Sequence, residues 1–333
     1  MTLRTHSIAT ARSCSNIAFI KYWGNRDDDL RIPANDSISM NLAGIETVTT
    51  VRFAKELASD RFVLNGRQTA GPSADRTSRH LDRLRERAGV RTHAEVISHN
   101  NFPTGAGIAS SASGFAAVTA AGCAALGLDL AERELSALAR LGSGSASRSI
   151  PSGFVEWHAG TSHEDSFAVS IAGPDYWPLA DLIAVISQAH KPVGSTEGHS
   201  LAPTSPLQEA RLADAPRRLE ICRAAIQDRN FSLLAEVLEE DALIMHAVMM
   251  TSRPALIYWQ PATLAIMQAV RGWRAEGLAA AFTIDAGPNV HILCQAQDRA
   301  ETAARLAKLD GINMILEAAP GGPTELLDQH LTA

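Results

Sequence analysis

The chain has 333 residues, 46% hydrophobic and 20% charged, an ordinary globular composition with enough length for one large domain or two fused lobes. The 36 acidic residues outnumber 30 Lys and Arg, and the net charge of −6 argues against a nucleic-acid partner. No apolar run reaches membrane-spanning length and the N-terminus lacks the apolar core of a signal peptide, while the four dispersed cysteines (Cys14, Cys123, Cys222, Cys294) read as buried, reduced thiols, so a cytoplasmic protein is expected.

Residues 16–23 are mostly apolar, with β-branched and aromatic members, which predicts a buried strand. Residues 37–42 alternate with period two and 46–53 are rich in β-branched residues, so each predicts a strand. Asn65-Gly66 marks a tight hairpin, and 73–88 reads as a helix with Leu81 and Leu84 on one face. A proline-started, glycine-rich segment from Asn101 runs into an alanine-rich helix over 107–126. Asp129 and Glu132 suggest a capping box for a helix that stops at Gly142. Strands are expected at 154–157, 167–171 and 182–187, then helices over 205–228, 231–248 and 261–275. Strands at 281–285 and 289–294 flank Ala286-Gly287-Pro288, and a helix over 299–308 and a strand over 313–318 follow. Strands interleaved with blocks of helices indicate an α+β architecture, with lobes over 1–180 and 181–333.

Four segments carry candidate chemistry. The loop before the alanine-rich helix offers free backbone N–H groups and a positive dipole end, and Ser110 and Ser111 lie in the first helical turn. That arrangement suits a nucleotide polyphosphate, but the spacing is neither the Walker pattern nor the dinucleotide fingerprint; close helix packing explains the small residues equally. Lys21 ends a buried strand, where an ammonium needs a carboxylate or an anionic ligand unless it snorkels to water. The run from Gly142 to Ser149 is a glycine-serine loop ending in Arg148, whose planar fork suits a carboxylate or phosphate, and it also reads as a simple connector. Asp285 stands at a strand end before a Gly-Pro turn, a position for a catalytic carboxylate or a turn former. The 11 histidines show no metal-ligand spacing.

Taken together, the set resembles the GHMP small-molecule kinase superfamily and, within it, the mevalonate-diphosphate decarboxylase family. Asn16 to Asn25 is similar to that family's Asn-Ile-Ala-x-x-Lys-Tyr-Trp-Gly-Lys, and Asn101 to Ser111 to its Asn-Phe-Pro-Thr-Ala-Ala-Gly-x-Ala-Ser-Ser, with Gly105 for one alanine. Gly142 to Ser149 matches Gly-Ser-Gly-Ser-Ala-Cys-Arg-Ser with Ser147 for cysteine, and Asp285 to Asn289 matches Asp-Ala-Gly-Pro-Asn.

The resemblance implies a GHMP-kinase-like two-lobed α+β fold, with an N-terminal lobe of ribosomal-protein-S5-like type and a C-terminal α/β sandwich lobe. It implies ATP and Mg2+ as cofactors, a homodimer, and phosphorylation of the tertiary 3-hydroxyl of a 5-phosphorylated mevalonate, followed by loss of phosphate and CO2. On the matching positions it implies that Asp285, Lys21 and Arg148 are catalytic, and that Asn16, Tyr22, Ser143, Ser145 and Arg148 bind substrate, Tyr22 through the 5-phosphate. Pro103, Gly105, Ala106, Gly107, Ala109, Ser110 and Ser111 would cradle ATP, with Ser111 as a Mg2+ contact.

Two departures bear on specificity. Asn25 replaces the lysine of diphosphate-using members, which favours a substrate with one phosphate, although the adjacent Arg26 offers a replacement charge. His199 stands where the family usually has methionine, and the sequence assigns it no role. The expected reaction is therefore mevalonate 5-phosphate to isopentenyl phosphate. Decarboxylation of the 5-diphosphate, a mevalonate 3-kinase that stops before decarboxylation, and a catalytically dead ligand sensor are the alternatives.

Overall fold

The computed structural model describes residues 7–102, 110–188 and 193–332. Its backbone is organised by two long strands, Ile8–Ile20 and Ser37–Phe53, which lie antiparallel from Ile8 opposite Arg52 to Ile20 opposite Ile38. The two strands expected at 37–42 and 46–53 are one. Gly44 sits between them at φ +88°, which lets the strand bend where a residue with a Cβ would be strained. The partner strand shifts register at the same place, between Cys14 and Ser15.

A strand the periodicity does not announce, Ala94–Asn100, pairs with Ser37–Phe53 and, in parallel, with Arg61–Leu64. The helix Pro72–Ala88 makes the crossover between these two parallel strands. On the other side, Phe154–Trp157 continues from the Ser37–Met40 end. In the second half, Leu179–Val185 lies between Val290–Gln295 and Met314–Pro320, with Ala280–Thr283 at the edge. Met314–Pro320 joins the two halves through Ala319 opposite Ala43 and Pro320 opposite Leu42. One mixed sheet of 12 strands therefore runs through both halves among the described residues. Glu325–Leu327 then returns to pair with Ile8–Ile20.

Helices cover this sheet. Ser110–Ala125 is alanine-rich because it packs closely on the two long strands; Ala112, Ala116, Ala117 and Ala121 are all fully buried. Glu132–Gly142 follows Ala131, whose N–H donates to Glu134 Oε2 at 3.2 Å. The carboxylate that makes the capping contact is thus Glu134, not Glu132, and Asp129 is not the N-cap, which is Ala131. Gln208–Gln227 and Phe231–Thr251 pack Leu219, Cys222, Ile226, Leu234 and Leu238 against Ile17, Phe19, Ile38 and Met40. Pro261–Ala275 backs the Ala280–Thr283 strand. All four cysteines are buried and free, as expected. No helix among the described residues is long and apolar enough to cross a membrane. The architecture positions four chain ends around one cleft: the exits of strands Ile8–Ile20 and Ala280–Thr283, the start of helix Ser110–Ala125, and the 3-10 segment Gly144–Ser149.

Candidate active site

Lys21 follows the long first strand directly, and its ammonium is almost wholly buried (1% exposed). Nζ lies 2.6 Å from Asp285 Oδ1, so the ammonium that the sequence required to find a partner has one. Burial opposes ionisation of Asp285, but Lys21, His291 and Arg148 outweigh it and hold the carboxyl below the usual aspartate range. Asp285 therefore faces the cleft as a carboxylate.

The backbone around Lys21 is pinned from the second half. Its N–H donates to Asp241 Oδ2 at 2.6 Å, and its carbonyl accepts from Arg211 at 2.7 Å and Asn35 at 3.1 Å. Asp241 is itself ion-paired to the fully buried Arg218, Nε to Oδ1 at 2.8 Å. The turn carrying Asp285 is fastened by Asn289, whose Oδ1 accepts from the N–H groups of Ile186 and Ser187.

Arg148 is 3% exposed, with Nη1 donating to Ser37 Oγ at 2.7 Å and Nη2 to Asn16 Oδ1 at 3.3 Å. Asn16 in turn donates to Ser149 Oγ (2.8 Å) and the Ser145 carbonyl (3.1 Å). Burial pulls the Arg148 guanidinium down to about 10, and Asp285 opposes the fall, so it stays a cation at neutral pH. Tyr22 packs edge-on against Trp157 at 4.8 Å, and its hydroxyl donates to Asn25 Oδ1 at 2.5 Å. A Cβ on Gly144 would lie 2.5 Å from the Tyr22 ring, so glycine at that position is what admits the phenol.

Lys21, Asp285, Arg148, Asn16, Tyr22 and Gly144 surround a cavity of about 360 Å3 together with Ser110, Ser111, Ser143 and Ser145. Ser111 and Ser143 share a hydroxyl contact at 3.2 Å across its floor. Pro103, Gly105, Ala106, Gly107 and Ala109 of the expected phosphate loop lie outside the described residues. The helix Ser110–Ala125 that follows them is closely packed along its length and has Ser110 and Ser111 at the cavity.

Sequence reasoning missed Arg31 and Arg76, which also line the cavity. Arg31 Nε donates to the Leu141 carbonyl (3.2 Å) and Arg76 Nε to the Gly142 carbonyl (2.9 Å), at the negative end of helix Glu132–Gly142. For Arg76 alone a weak signal existed, its spacing with Arg79 and Arg83 along one face of helix Pro72–Ala88. With Lys21 and Arg148, four cations face one carboxylate, Asp285, among the described residues of the lining. That imbalance suits a polyanionic guest. A second cavity of about 440 Å3 opens beside the first, sharing Arg31, Arg76, Ser110, Ser111 and Thr196. Its walls include Phe62, Leu64, Phe115 and Val118, an apolar slot of the kind that takes a flat heterocycle.

His199 belongs to the same cleft. Its ring lies 4.1 Å from Tyr22 and 4.7 Å from Trp23, and its Nδ1 accepts from the Gly24 N–H at 2.9 Å. Burial, with Arg31, Arg211 and Arg148 nearby, pushes its pKa down to about 3. Elsewhere, Asp36, Glu156 and His158 come together from distant stretches in an arrangement that would reach a metal ion, which no histidine spacing revealed. Arg223 already grips both Glu156 oxygens, at 3.0 and 2.8 Å.

Known proteins resemble this chain over most of its length. Residues 13–168 match the diphosphomevalonate decarboxylase-like N-terminal domain, and 181–319 match the mevalonate 5-diphosphate decarboxylase C-terminal domain. The chain is similar to diphosphomevalonate decarboxylase of Candida albicans, 39% identical over 295 residues that cover 83% of this chain and 81% of that one. It is similar to phosphomevalonate decarboxylase of Haloferax volcanii, 34% identical over 326 residues that cover 96% and 98%. Further fungal and mammalian relatives are diphosphomevalonate decarboxylases. A solved complex of MDDEF with MVAPP, AMPPCP and magnesium superposes with a TM-score of 0.92 at 36% identity, covering 97% of this chain and 99% of that one.

Proposed function

Because the chain belongs to the mevalonate diphosphate decarboxylase family, a GHMP-type fold, we propose that it decarboxylates a 5-phosphorylated mevalonate at the expense of ATP. The observation that carries this reading is the convergence of Asp285, Lys21 and Arg148, from residues far apart in sequence, on one cavity beside the mouth of helix Ser110–Ala125.

The chemistry follows from what each group can do. Hydroxide is a poor leaving group, so the tertiary 3-hydroxyl must first take the γ-phosphoryl group of ATP. Asp285 orients that hydroxyl and accepts its proton as the O–P bond forms. Lys21 holds Asp285 ionised and offsets charge on the transferring phosphoryl group. The departing 3-phosphate takes that proton back from Asp285, and the carboxylate so restored stabilises the positive charge left at C3. Arg148, held by Ser37 and Asn16, clamps the C1 carboxylate in line for loss of CO2, whose bonding pair closes the alkene. The products are an isopentenyl phosphate, CO2, ADP and phosphate. Ser143 and Ser145 complete the substrate wall, the described phosphate-cradle residues are Ser110 and Ser111, and the apolar slot takes the adenosine. Mg2+ favours phosphate oxygens plus one or two protein oxygens, and the Ser111 hydroxyl at the helix mouth is a fitting contact; bound there it would neutralise phosphate charge.

One phosphate on the substrate is supported by Asn25, which stands where diphosphate-using members carry lysine. Asn25 is neutral and engaged with Tyr22 and Asp28, at 2.5 and 2.7 Å. Neither Asn25 nor Arg26 is itself part of the cavity lining; Asn25 meets it through Tyr22, while the Arg26 guanidinium donates to the carbonyls of Gly160 and Ala34. The second reading, the 5-diphosphate as substrate, is supported by the names of most of the relatives above and by the abundance of cleft arginines. Incubation with ATP, Mg2+ and each phosphorylated mevalonate, with product mass read directly, separates them. A higher kcat/KM for the diphosphate overturns the monophosphate reading. A stable 3-phosphorylated product without CO2 makes the protein a kinase, and no turnover with either substrate makes it a sensor.

A further inference from the structure

The histidine that the sequence leaves without a role is held in a defined protonation state by geometry. A backbone N–H can only donate, so the 2.9 Å contact from Gly24 makes His199 Nδ1 an acceptor and puts the ring proton on Nε2. The ring packs against both Tyr22 and Trp23, tilted at interplanar angles of 31° and 36°. Nε2 bonds no protein group among the described residues, and the ring forms part of the cavity wall. The low pKa keeps the imidazole neutral at any working pH.

We propose that His199 is a specificity-determining residue whose Nε2–H donates a hydrogen bond to the 5-phosphate of the bound substrate. The inference rests on the decarboxylase reading for the identity of that ligand. Arg148 and Asn16 occupy the carboxylate end of the cavity, and Lys21 with Asp285 the reacting hydroxyl, which leaves the Tyr22–His199 face for the remaining polar group of the substrate. A neutral donor serves one phosphate well, since it binds an oxygen without the added positive charge that a second phosphate calls for.

The test compares His199→Asn with His199→Gln in the full chain, using ATP, Mg2+ and mevalonate 5-phosphate. Asn keeps an acceptor for the Gly24 N–H but has no donor at the Nε2 position; Gln places an amide N–H there. His199→Asn is expected to raise KM for mevalonate 5-phosphate about three- to tenfold, with kcat and KM for ATP within about twofold. His199→Gln is expected to keep KM near the wild-type value. An unchanged KM in His199→Asn, or a fall in kcat alone, overturns the proposal; so does an equal rise in both variants, which marks a packing role. Should the variants fail to fold, nitrogen-15 NMR of histidine-labelled wild type reads the same contact, and an Nε2 resonance that does not move on adding mevalonate 5-phosphate overturns it. Should the wild type release no CO2, the decarboxylase reading fails by itself; calorimetric binding of mevalonate 5-phosphate, weaker for His199→Asn, still upholds the contact, and equal or absent binding ends it.

Discussion

Replacing Lys21 by methionine tests the central ion pair. The ammonium is 1% exposed and 2.6 Å from a carboxylate that is itself 28% exposed. Breaking a buried pair from one side costs about 3–5 kcal/mol, because the remaining charge keeps its burial and loses its partner. The partial exposure of Asp285 places this pair at the lower end, about 3 kcal/mol, and losing the Lys21 charge raises the Asp285 pKa. In the wild type the folded-state pKa lies below the ordinary 3.8, so the pair's stabilisation is fully present above that value and is lost as pH falls through the folded pKa. In Lys21→Met the burial that opposes ionisation has less to counter it, and Asp285 protonates at higher pH. Steady-state ADP release followed from pH 3.5 to 8 should show the acid limb displaced upward relative to the wild type. The rate on the plateau should fall about 10²- to 10³-fold, as for loss of a preorganised electrostatic group. An acid limb at the wild-type position would refute the reasoning, since it would mean that Lys21 does not govern the charge on Asp285.

Arg148→Gln should lower kcat/KM about 10²-fold, and Arg148→Lys should not restore it, because a single ammonium cannot hold Ser37 and Asn16 and grip a carboxylate at two points; CO2 release by the lysine variant near the wild-type rate would count against the clamp. Asn25→Lys should raise the diphosphate-to-monophosphate ratio of kcat/KM about ten- to a hundredfold, the worth of one charged hydrogen bond, and an unchanged ratio places the discrimination elsewhere. Arg218→Met should cost about 3–5 kcal/mol in urea unfolding, because it strands the buried Asp241 that holds the Lys21 N–H; a loss below 1 kcal/mol would show that the network is dispensable.

Much of the site was legible because its chemistry is local. Glycine runs, a lysine at a strand end and an aspartate before Gly-Pro are dictated by backbone conformation and by the cost of burying charge, and these signals sit within a few residues. The helices of the second half were legible for a similar reason, since Phe231–Thr251 and Pro261–Ala275 carry helical periodicity over several turns. The strand Ala94–Asn100 was not, because its polar residues alternate on a sheet face whose burial depends on the helices above it. Arg31 and Arg76 escaped notice because arginines look alike in a sequence, and only the position of the Leu141 and Gly142 carbonyls draws these two to the cleft.

What the amino-acid order determines by itself is the α+β character, the motif set and the identity of the groups that meet. Which of those groups touch was decided in three dimensions. Lys21 finds Asp285 only because one sheet carries the exits of both their strands to the same end, and Lys21 is held there by Asp241 from a helix more than two hundred residues away. The protonation state of His199 is likewise set by a backbone N–H and two rings. Contacts across such sequence distances leave no local periodicity, since a side chain's partner is chosen by where the packed sheet and helices deliver it.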